Sequence, residues 1–178
     1  MPIEISEIRN VVIGLKVQDN IIFSGEDMDP AFCKGAFYQF KRKTGVYSEP
    51  ELVSLIVYST HLTIPWQRMV CCKEIVHVLD KQESKTDNKA EVIALVDKLL
   101  GPLSSEDYGK ADFSASTDRI ALYQGLAILF PPAARSSALS IRNKTVADIA
   151  EWASIPESLV HFALDPDWPD MRTQILDM

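Results

Sequence analysis

Long apolar runs are missing from this sequence, and their absence removes several classes of protein. Met1 to Asn10 carry Glu4 and Glu7 and no signal-peptide core, and no later stretch is long enough to span a bilayer. A cytoplasmic protein with no membrane partner is expected. Positive charge is also in short supply, since 18 Lys and Arg against 25 Asp and Glu give a formal net charge of -7. The field of such a chain repels phosphate backbones and anionic lipid heads. Nucleic acid is therefore set aside, and a protein partner or substrate is expected. Cysteine is scarce and poorly placed: Cys33, Cys71 and Cys72 are odd in number, two are adjacent, and no C-x-x-C spacing offers a structural zinc site. They read as reduced core residues, with a reactive thiol as the alternative. Internal repeats and low-complexity segments are absent. The sequon Asn143-Lys144-Thr145 reads as a chance match, because nothing routes the chain through a secretory pathway.

What the sequence does have is apolar content, 47% of 178 residues, enough for one sizeable core and a small appended subdomain. Asn10 to Val17 and Asn20 to Phe23 are β-branched runs that read as two strands of a hairpin or meander. Asp29-Pro30 looks like a helix start, with Phe32, Ala36 and Phe40 at helical spacing and Lys41, Arg42 and Lys43 before Gly45. That basic triplet reads as a solvated helix end, with a docking patch as the alternative. Leu52 to Tyr58 reads as a buried strand. Pro65 to Asp80 reads as a largely buried helix, and continuing its Trp66, Met69, Val70 stripe by threes and fours brings in Lys73 and His77.

After a charged linker, Thr86 or Asp87 opens a helix with Val92, Leu95, Val96 and Leu99 inward, ending at Gly101-Pro102. Ser104 to Ala115 reads as a polar connection. A further helix is expected from about Thr117 to Phe130, stopped by Pro131-Pro132. In the tail, Thr145 caps Val146 to Ala153, and Ser154-Ile155-Pro156-Glu157 is a capping-box match opening a helix to about Leu164.

The chemistry centres on Cys72-Lys73-Glu74-Ile75-Val76-His77. In H-E-x-x-H, residues four apart lie one turn apart on a helix, so two imidazoles reach one metal while the intervening Glu activates the bound water. Here the Glu and second His are present, and Lys73 stands where the first His would be. The run Trp66-Gln67-Arg68-Met69-Val70-Cys71-Cys72-Lys73-Glu74-Ile75-Val76-His77 resembles the ImmA/IrrE metallopeptidase family, in which a strand leads into the motif helix and an arginine precedes H-E-x-x-H. In that family a later helix supplies an acidic ligand three residues before an alanine and ends in a Leu-Leu-x-Pro-like sequence. Asp118-Arg119-Ile120-Ala121, continuing to Ile128-Leu129-Phe130-Pro131, is similar to it. The resemblance spans Leu52 to Arg135.

The resemblance implies an α+β, zincin-like fold: a small mixed sheet packed on the motif helix, the Thr117 to Phe130 helix across it, and a helical C-terminal tail. It places a zincin-like domain at residues 1–135 and a helical extension at 136–178. It implies zinc as cofactor, Glu74 as general base, and His77 and Asp118 as metal ligands in a peptidase cleaving by metal-assisted hydrolysis. The Thr86 to Leu100 helix looks like an insertion, and Glu91 within it competes with Asp118 for the acidic ligand position.

Lys73 is the departure that matters most. A protonated amine offers no lone pair, so one protein ligand is lost and zinc affinity falls. Its ammonium would instead neutralise Glu74 or Asp118 in a buried ion pair. The expected function is a divergent metallopeptidase-like protein with weakened or lost zinc binding and activity; the alternative is a non-catalytic regulatory or protein-interaction module that keeps the fold.

Three other features read as ordinary. Asp148 to Val160 has the rhythm of a DNA-reading helix-turn-helix, but Asp148, Glu151 and Glu157 fall in it without Lys or Arg, so a packing or protein-contact element is preferred. His61 and His161 are isolated in sequence. Trp152 and Trp168 either anchor a partner or close the core of the tail.

Overall fold

The computed structural model describes residues 2–79 and 107–177, apart from residues 16, 18, 44, 46 and 142. The chain enters through helix α1, Ile5–Gly14, where the Glu4 amide donates to Glu7 Oε2 at 3.1 Å and Ile8 and Val12, one turn apart, are buried. The expected strand Asn10 to Val17 is thereby corrected. Its β-branched residues favour a strand locally, but burial follows the helical interval from Ile8 to Val12 and leaves Val11 and Ile13 exposed.

Strand β1, Asn20–Glu26, follows. The expected helix after Asp29-Pro30 is also corrected: residues Gly35–Arg42 form strand β2. The helix-start signal is real but brief. Asp29 Oδ1 accepts from the Ala31 amide at 2.8 Å, and the Phe32 and Cys33 amides bond to the Asp29 carbonyl, each at 3.1 Å. The chain then extends, because every residue of Gly35–Arg42 pairs with strand β3, Glu51–Ser59. The basic triplet therefore lies at a strand end, where Arg42 pairs with Glu51.

The sheet is three-stranded and mixed, in the order β1-β3-β2, with β1 parallel and β2 antiparallel to the central β3. By register, Ile21, Ser54 and Gln39 share one face with Phe23, Ile56 and Phe37. This face is turned to helix α2, Ile64–Val78, so closely that a Cβ on Gly35 would strike Val70. A buried polar trio lies at its start, where Asp19 accepts from the Gln39 amide and the Ser54 hydroxyl.

Helix α3, Asp107–Leu129, packs on α2 and is longer than expected: it begins at Asp107, within the residues that read as a polar connection. Ala121, Leu126 and Phe130 go into the core. The tail holds α4, Pro132–Ser140, α5, Val146–Ala153, α6, Glu157–Leu164, and α7, Trp168–Leu176. Thr145 caps α5, its Oγ1 accepting from the Asp148 amide at 3.2 Å. Ser154 does not open a capping box; it closes α5 in the left-handed region at φ 52°, and Pro156 is the N-cap of α6.

The tail is packed onto α3. Tyr123 meets the Trp168 ring at 6.5 Å, Gln124 Nε2 donates to the Ile175 carbonyl at 3.0 Å, and Trp168 is 1% exposed. Arg135 ties α4 to the end of α6, its Nε donating to the Ala163 carbonyl and Nη2 to that of Asp165, both at 3.0 Å. Among the described residues no helix is long and apolar enough to cross a membrane.

Candidate functional site

Helix α2 is buried on nearly all sides because it lies between the sheet and α3. Met69, Cys72, Ile75 and Val78 go into the core, and Glu74 is carried in with them, only 3% exposed. A carboxylate cannot remain charged in such a place without a partner. The partner is its neighbour in sequence: Lys73 Nζ lies 2.8 Å from Glu74 Oε1 and also contacts Asp118 Oδ1 across the interface with α3. His77, one turn beyond Lys73, places its Nε2 3.9 Å from the same Asp118 oxygen. The structure therefore brings Lys73, Glu74, His77 and Asp118 into one cluster.

What sets this geometry is a close helix crossing at Gly125. A Cβ there would stand 2.7 Å from Met69 Cε, the movable end of that side chain, and 3.3 Å from the Lys73 amide nitrogen, so even an added methyl requires Met69 to shift and the backbones to give by a few tenths of an ångström. Cys72 Sγ reaches the Gly125 carbonyl at 3.6 Å. Asp118 lies two turns earlier on the same face of α3. Because α2 and α3 run in opposite directions, the contact passes from Gly125 beside Lys73 to Asp118 beside His77.

The charges are mutually reinforcing. Burial alone would lower the Lys73 pKa, but the Glu74 charge and hydrogen bonds to Asp118 and Glu74 outweigh it, and the amine is held above its ordinary range. Hydrogen bonding to His77 is the leading cause that draws the Asp118 carboxyl down; Lys73 adds to it, burial opposes it, and the net value is about 2. Glu74 is the most constrained member, since its Oε1 receives no well-aligned hydrogen bond besides the ion pair.

The fit to zinc can be judged from these contacts. A catalytic zinc site needs three lone-pair donors converging on one point, with a fourth position open. Here the acidic side chains converge on an ammonium that is held protonated, and a divalent ion in that place would face its charge at contact distance. As arranged, the donors suit an ammonium better than a divalent cation. Among the described residues no group of three or more His, Cys, Asp or Glu side chains is placed to hold a metal. Glu91 lies outside the described residues.

The other candidates sit apart. His61 Nε2 is 2.5 Å from Asp27 Oδ1, with both side chains exposed. His161 is on the exposed face of α6 with Glu157, Ser158 and Phe162, a face without Lys or Arg. Trp152 meets the Phe130 ring edge-on at 6.5 Å, and Trp168 is buried, so both close the tail core. Cys33, Cys71 and Cys72 are free thiols; burial pushes Cys71 and Cys72 up to about 12. Two site residues had no role in the sequence reading of the cluster. Gly125 could have been found as a small residue seven after Asp118, and Arg68, noted only as preceding the motif, bonds to the Ile3 and Ser154 carbonyls at 2.6 and 3.1 Å. Comparison of the chain with protein-family models, with curated proteins and with solved structures found no match.

Proposed function

We propose that this chain is a divergent metallopeptidase-like protein in which the Lys73 ammonium has taken the place of the metal, so that the helix pair serves as a non-catalytic regulatory or protein-interaction module. The observation that carries this reading is the contact of one ammonium with both Glu74, the general-base position, and Asp118, the third-ligand position. An ammonium there removes the lone pair that the missing histidine would give and satisfies the carboxylates that a metal would need. Glu74 is then tied up as a counter-ion rather than free to act as a general base. What remains is an α2–α3 pair closed by ion pairs in place of a metal, so that recognition of a protein partner falls to surfaces outside this cluster.

Elemental analysis of protein purified without an affinity tag, with zinc titrations of the wild type and of Lys73→His, tests this. The expected outcome is that the wild type holds no stoichiometric zinc and that Lys73→His gains it, because His at this position completes an i, i+4 imidazole pair with His77. About one zinc per wild-type chain would overturn the reading and direct attention to peptide hydrolysis. Zinc binding by neither protein would remove the metallopeptidase-like ancestry while leaving the ion cluster intact.

A further inference from the structure

We draw no further inference here: the strongest candidate, the surface patch at the α6–α7 corner where the exposed Phe162 ring meets Tyr123 and the exposed Asp165 and Asp167 follow in the chain, is an apolar face with an acidic rim, and nothing in the structure shows what covers it.

Discussion

Replacing Lys73 with methionine separates the charge of this residue from its packing. Methionine keeps most of the unbranched stem that lines the α2–α3 interface, so the cavity contribution is small. What is lost is the ammonium between two carboxylates of very different exposure. Asp118 has a side chain 59% exposed and rehydrates when its partner leaves, so its share is that of a surface pair, at most about 1 kcal/mol. Glu74 has a side chain only 4% exposed, and its Oε1, the oxygen facing Lys73, has no well-aligned hydrogen bond to fall back on. Removing one member of a buried pair typically costs about 3 to 5 kcal/mol because the other charge is left stranded. For Lys73→Met the lower end is expected, about 3 kcal/mol, since the charges sit near one exposed carboxylate. Most of this loss belongs to Glu74, so adding Glu74→Gln should recover about 2 kcal/mol, leaving the double variant near the wild type. Urea unfolding with both variants and the pair measures this, provided the slope with denaturant stays constant. A loss under about 1 kcal/mol for Lys73→Met, or no recovery in the double variant, would refute the view that Glu74 depends on this ammonium.

The same cluster sets both limbs of the stability profile against pH. Asp118 is drawn down from 3.8 to about 2, so its contribution is complete above the unfolded value and fades as pH falls through about 2. Lys73 is raised above 10.5, so its contribution is complete below that value and is lost as pH rises through its folded value; urea midpoints from pH 2 to 11 should show a plateau between these limbs, and Lys73→Met should abolish the alkaline one. Gly125→Val should cost about 1 to 3 kcal/mol by overpacking the crossing, outweighing the gain from replacing a helical glycine, and thermal unfolding would detect it. Cys33 should be alkylated in the native protein while Cys71 and Cys72 are protected by burial and thiols raised to about 12, a pattern that mass spectrometry of iodoacetamide-treated protein would read directly.

The parts of the fold legible in the sequence are those whose periodicity agrees with their tertiary setting. The Leu52 to Tyr58 run and the Pro65 to Asp80 pattern lead to β3 and α2, and Thr145 marks the start of α5. Sequence fails where local preference and burial disagree. Ile8 and Val12 bury a helical face built from residues that prefer strands. Phe32, Ala36 and Phe40 are spaced for a helix, yet the gain from pairing along β3 draws Gly35–Arg42 into the sheet. Within the site, Lys73 and His77 were placed together by spacing alone, since i and i+4 share a helix face. Asp118 required the family resemblance, because a contact between helices this far apart leaves no local trace. Gly125 was invisible for a related reason: its role is to be small opposite Met69 and Lys73, and only the helix crossing shows that.

Arg68 adds a different kind of consequence. One guanidinium, with a side chain 11% exposed, holds the Ile3 carbonyl ahead of α1 and the Ser154 carbonyl in the turn after α5, and it stands 3.7 Å from Glu4. Two segments widely separated along the chain are thus fastened to the same side chain of the central helix. Neither carbonyl can be released without leaving a donor of a nearly buried cation unpaired, so the two should open to solvent together. Amide hydrogen exchange would then report one shared opening free energy for α1 and the α5–α6 turn, and the N-terminal helix would behave as part of the same cooperative unit as the tail.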